Sequence, residues 1–165
     1  MPIRLGVSRC LLGDAVRYDG GHKRHAVVVD VLGAWAELVP VCPEVEAGLS
    51  TPRPPVELVR IGEVVRVRGV HDPELDVTDA LDGLYGSVAP RLEGISGFVF
   101  KGRSPSCGLA VPVHDLSGAR VEVAAGRFAR AVLAACPGLP VAEETDLDDP
   151  DLLADFVARV RAFAG

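Results

Sequence analysis

The 165-residue sequence has no uninterrupted apolar stretch long enough to cross a bilayer, which excludes a helical membrane span. It also lacks an excess of positive charge: 17 Lys and Arg stand against 23 Asp and Glu, a net charge of −6. Affinity for nucleic acid rests on neutralising phosphates, so no polymeric nucleic acid is expected as a partner. The first residues, MPIRLGVSRC, turn polar too soon for a secretory signal, and the expected location is the cytoplasm. No internal repeat, low-complexity tract or linker interrupts the chain, and its length suits one domain over residues 1–165. Walker A, G-x-G-x-x-G and H-E-x-x-H patterns are missing, which leaves phosphate-loop, dinucleotide and zincin readings without support. Cysteine is scarce at four residues, and no pair shows the C-x₂-C spacing common in structural zinc sites.

What is present alternates between strand and helix. Strands are expected at 3–8, 38–41, 95–101 and 139–144, with helices at 25–38, 76–94 (broken near Pro90), 126–138 and 149–165. Thr78 or Asp76 caps the second helix, and the valines of 25–38 weaken the first. Residues 42–57 carry four prolines and read as loop and turns, followed by a small hairpin from 56–61 and 63–69. A further short strand is expected at 109–115. The pattern predicts an α/β fold: a single three-layer, Rossmann-like domain with a mostly parallel sheet, helices on both faces and a small β insertion.

In such sheets ligands gather outside the carboxyl ends of the strands. Cys10 follows strand 3–8, Cys42 follows strand 38–41 and Cys107 follows strand 95–101, so a parallel sheet puts all three at one end. Each has a glycine or proline nearby, in CLLG, CPE and SPSCG, which sets a tight turn. In a reducing compartment these thiols are not expected to pair as disulfides. Three converging thiolates suit a soft metal, with zinc and an iron–sulfur cluster both open at this point, and buried inert thiols as the plain alternative. Cys136, in the apolar helix AVLAACPG, reads as a core thiol.

Three blocks, SRCLLGDAVRYDGGHKR (8–24), PVCPEVEAGLSTPRPP (40–55) and FKGRSPSCG (100–108), together resemble the signature motifs of one bacterial family, the 2-thiouracil desulfidases. The resemblance runs to about residue 142. It implies a [4Fe–4S] cluster held by Cys10, Cys42 and Cys107, with the fourth iron open. It implies Glu44 and Ser104 as catalytic residues, and hydrolytic removal of sulfur from a small thiolated pyrimidine, giving uracil and hydrogen sulfide. Two positions depart from the family pattern: Arg9 stands where a small residue is common, and Ala47 replaces the first glycine of a usual pair. Both bear on substrate identity rather than on cluster binding.

Candidates for substrate contact are Arg17, Asp19, Lys23 and Ser106, together with Tyr18. Each has a plainer role beside it. Arg17 and Asp19 also suit an ion pair that pins their loop, Ser104 and Ser106 also suit loop backbone groups, and Glu44 also suits a helix cap near Val45. Arg53 reads as loop scaffolding, and the HKRH cluster at 22–25 as a solvated segment or a small-anion contact. Two other functions remain in view. A zinc or redox-sensing module would add His22, His25 or His114 to the three thiols. A serine hydrolase would need His114 or His71 as base, yet GRSPS lacks the second glycine of a nucleophile elbow.

Overall fold

The computed structural model describes residues 2–165. Four strands, β1 (Ile3–Ser8), β2 (Ala36–Val41), β5 (Gly97–Phe100) and β8 (Val141–Glu143), form a wholly parallel sheet in the order β2-β1-β5-β8. The register runs Ser8 beside Val41, Val7 beside Val99 and Phe100 beside Glu143, so the strands finish at one edge. The chain leaves β1 for β2 on one side and then crosses to β5 on the other. That reversal opens a crevice at the carboxyl end of β1.

Central parallel strands are covered on both faces and read as nearly continuous apolar runs. On one face Leu5, Val7 and Val99 meet Val28, Leu32, Leu147, Phe156 and Val160 from the helical segments before β2 and after β8. On the other, Val39, Val41, Phe98 and Phe100 meet Leu84 and Val88 of α2 (Thr78–Val88) and Phe128 and Val132 of α3 (Arg127–Ala135). Phe98 lies so close over β1 that a Cβ on Gly6 would stand 2.2 Å from its ring. α4 (Pro150–Ala164) is capped by Asp149, whose carboxylate accepts from the Asp151 and Leu152 amides.

The β insertion is larger than the expected hairpin. β3 (Val56–Ile61) and β4 (Val64–Gly69) are joined by β6 (Val111–His114) and β7 (Arg120–Ala124) in a second four-stranded sheet, β4-β3-β6-β7. β7 went unseen in the sequence because its alternation is short. Its signal is the DLSG turn, where the Asp115 carboxylate accepts from the Ser117 and Ala119 amides. Leu58, Val67, Val111 and Val113 of this sheet pack on Val77 and Leu81 at the start of α2.

Two other expectations change. The helix foreseen at 25–38 is shorter, with π geometry over Val27–Val31, a 3-10 turn over Leu32–Ala34, and β2 starting at Ala36. A run of β-branched valines crowds a regular helix and favours the extended chain that follows. The proline-rich stretch after Cys42 holds one helical turn, α1 (Pro43–Glu46), because proline is tolerated in a first turn that has no N–H partner to lose.

Candidate active site

At the carboxyl edge of the parallel sheet lies a cavity of about 500 Å³. Cys10, Cys42 and Cys107 all line it, reached from β1, β2 and β5. None faces open solvent: Cys10 is 8% exposed, Cys107 is 5%, and Cys42 is half-buried. The turns after the strands bring all three thiols to the cavity lining. All four cysteines are free. Cys136, just past α3 and beside Tyr85, is half-buried and packs against the core on that face of the sheet.

Burial holds the three cavity thiols in their protonated form. Desolvation is the largest cause in each case, and it pushes Cys10 up from its ordinary 9.0 to about 11. The Lys101 ammonium opposes that rise, while Cys42 adds to it. Cys42 moves up as well, partly offset by backbone N–H groups of Val45 and Glu44 and by Arg53. Cys107 moves furthest, with a hydrogen bond to Ser8 opposing the shift and both other thiols reinforcing it. Cys10 thus senses Cys42, and Cys107 senses both.

Glu44 stands on α1, two residues past Cys42, with its carboxylate gripped at both oxygens. Arg53 Nε donates to Oε1 at 3.0 Å and the Ser106 hydroxyl donates to Oε2 at 3.1 Å. The helix-cap role is thereby excluded, since the helix already begins at Pro43. Ser104 also lines the cavity. Its hydroxyl oxygen accepts from the Ser106 amide at 3.2 Å and the Cys107 amide at 3.1 Å, so it organises the turn that presents Cys107.

The sequence profile of the 2-thiouracil desulfurase family matches residues 5–144, which holds all of these side chains. The chain belongs to that family. Among solved structures, it is similar to the [4Fe-4S]-dependent thiouracil desulfidase TudS, at 33% identity and a TM-score of 0.74, over 94% of this chain and 99% of that one. Among curated proteins, it is 31% identical over 150 residues to YbbK of Bacillus subtilis (strain 168), covering 87% of this chain and 97% of YbbK.

The remaining expected residues divide. Arg17, Tyr18 and Lys23 line the cavity of this family member. Asp19 and Ser106 do not. Asp19 accepts from the Gly21 amide at 2.9 Å and lies 3.6 Å from Arg17, so it pins the loop. Ser106 is fully buried and is spent on Glu44. Arg9 reaches the cavity wall paired to Asp14 at 2.8 Å, whereas Ala47 packs under the second sheet.

Sequence reasoning passed over Lys101. It lines the cavity, and its ammonium lies 3.1 Å from the Glu144 carboxylate at the end of β8. Only the parallel pairing of β5 with β8 brings the two together.

No histidine lines the cavity among the described residues. His25 pairs with Asp148 at 2.9 Å, His22 accepts from the Arg24 amide, and His114 sits on β6 near Glu57. The serine-hydrolase reading therefore has no base at the site. The zinc reading has no fourth ligand of that kind, and among the described residues no three His, Cys, Asp or Glu side chains converge on one point as a single ion requires.

Proposed function

We propose that the protein is an iron–sulfur-dependent desulfidase that replaces the sulfur of 2-thiouracil, or of a related thiolated pyrimidine, with oxygen from water. One observation carries the reading: three thiols from three strand ends share a single cavity with a fixed carboxylate, in a chain of this family.

The donor set suits a cluster better than a single ion. A tetrahedral zinc at 2.3 Å from each sulfur needs its thiolates only about 3.8 Å apart. A cubane takes one thiolate per iron, so its ligands are spread over separate corners. In this reading Cys10, Cys42 and Cys107 would hold a [4Fe–4S] cluster, leaving one iron without a protein ligand. When bound, such a cluster supplies a soft Lewis acid for the thiocarbonyl sulfur.

The chain does the rest. Glu44 accepts a proton from the attacking water, as its place on the cavity wall next to a ligand cysteine allows. Ser104 keeps its hydroxyl proton for the substrate, because its oxygen already accepts two amides. Arg17 and Lys23, which line the cavity, would meet the pyrimidine's polar edge. One C=S bond and one water become one C=O bond and hydrogen sulfide, with no net transfer of electrons. Free thiols fit a cytoplasmic setting.

Anaerobic reconstitution followed by assay of sulfide released from 2-thiouracil tests the proposal. Glu44→Ala is expected to keep its iron and lose about 10²–10⁴-fold in kcat. Cys107→Ser is expected to lose both iron and turnover, whereas Cys136→Ser keeps both. Sulfide release that survives Cys107→Ser removes the mechanism.

A further inference from the structure

We infer that Arg53 and Ser106 are positioning residues, which together hold the Glu44 carboxylate in the one orientation the reaction uses. The inference rests on the desulfidase reading and adds to it two residues that act through Glu44.

Arg53 is no loose surface cation. Its side chain is 6% exposed, against 13% for Glu44. Besides Nε on Glu44, Nη1 donates to the Ser50 carbonyl at 3.2 Å and to Thr51 Oγ1 at 3.1 Å. Nη2 donates to the Val16 carbonyl at 2.9 Å. The Arg53 amide donates to the Tyr18 carbonyl at 2.7 Å. The guanidinium is thus fixed to its own loop and to the loop that follows Cys10.

Ser106 is anchored separately. Its carbonyl accepts from the Phe128 and Ala129 amides at 2.9 and 3.0 Å, in the first turn of α3. Gly126 allows that approach, since a Cβ there would come within 2.5 Å of the Ser106 backbone. Two rigid donors from unconnected elements therefore meet on the two oxygens of one carboxylate. All three sequence blocks contribute, one through Val16 and Tyr18, one through Glu44 and Arg53, and one through Ser106.

A purely structural role explains this poorly. A buried ion pair seldom stabilises a fold more than well-packed apolar side chains do. This pair lies on the cavity wall, where a carboxylate with two oxygens occupied keeps free lone pairs for a further partner. A flexible glutamate would spend most of its time in other rotamers. Near-attack geometry is sensitive to such misplacement.

The test uses reconstituted Arg53→Ala, Arg53→Lys and Ser106→Ala, each alone and combined with Glu44→Ala. Readouts are iron and sulfide content, the melting temperature of the cluster-free protein, and kcat and KM for 2-thiouracil. Arg53→Ala is expected to keep its cluster, hold KM within about threefold and lose about 10–100-fold in kcat, with part of the loss restored by added guanidinium. Ser106→Ala is expected to lose several-fold. In the Glu44→Ala background both changes should cost almost nothing further, because what they position is gone.

A rise in KM at constant kcat would make Arg53 a substrate contact and overturn the inference. So would full additivity with Glu44→Ala. If Arg53→Ala fails to fold, Arg53→Lys and Ser106→Ala carry the same comparison. A Glu44→Ala protein as active as the parent sinks the reading of Glu44 itself, a separate result from loss of coupling.

Discussion

Cys10, Cys42 and Cys107 all depart from an ordinary thiol in the same direction, and the largest cause in each is burial against the cavity lining. Ligation requires thiolates, so loading a cluster at neutral pH must expel protons and becomes easier as pH rises. The same shift predicts how the cluster-free protein responds to base. An unfolded Cys10 ionises near pH 9, whereas the folded one holds its proton to about pH 11. Its contribution is fully present below pH 9 and is lost as pH climbs through 11. It amounts to at most about 2–3 kcal/mol. Urea midpoints of the cluster-free protein should fall across that window, and Cys10→Ser should flatten the fall. A midpoint that rises between pH 9 and 11 would contradict the burial argument.

At the scale of single elements, α2 shows how local wiring aligns the second sheet with the first. Thr78 was a natural candidate for its cap, but the Thr78 hydroxyl accepts from the Val67 amide of β4 at 2.7 Å. Asp76 opens the helix in its place, accepting from the Thr78 amide at 2.9 Å while pairing with Arg66 of β4 at 2.6 Å. Those bonds draw the Asp76 carboxyl down from 3.8 to about 2, chiefly through Arg66. A depressed carboxylate stabilises the fold above about pH 4, and that contribution is lost as pH falls toward 2. Because Asp76 is exposed, solvent screening limits its worth to about 0.5–1 kcal/mol. Asp76→Asn should lower the unfolding free energy from urea titration by that amount at pH 7 and by much less at pH 2. An equal loss at both pH values would assign the effect to shape rather than charge.

On the scale of the whole molecule, α2 is the shared wall. Leu84 and Val88 pack on the parallel sheet, and Leu81 packs on the second sheet. Arg127 at the head of α3 pairs with Asp82 of α2 at 2.6 Å and also donates to the Val65 carbonyl of β4. From this wiring we propose that the two sheets fold as one domain. Leu81 is fully buried, so Leu81→Ala should cost about 2–5 kcal/mol. The melt should remain a single transition, with far-ultraviolet and near-ultraviolet signals coinciding. Two separated transitions would show that the sheets fold apart.

The chain itself determined the parallel sheet and the end at which its chemistry gathers. Runs such as IRLGVS and GFVF are apolar on both faces, and each is followed at once by a glycine- or proline-marked turn bearing a cysteine. Those are local signals, readable from neighbours along the chain. Only the tertiary structure decided what surrounds them. β6 and β7 enlarge a hairpin into a full sheet, Lys101 finds Glu144 across a parallel pair, and Ser106 turns from the cavity to hold Glu44. Lys101 lies 43 positions from Glu144 and Ser106 lies 62 from Glu44, and a hydroxyl must also point to the right side of its turn. Periodicity carries no record of such pairings, since they are fixed when the layers pack and buried polar groups must find one another.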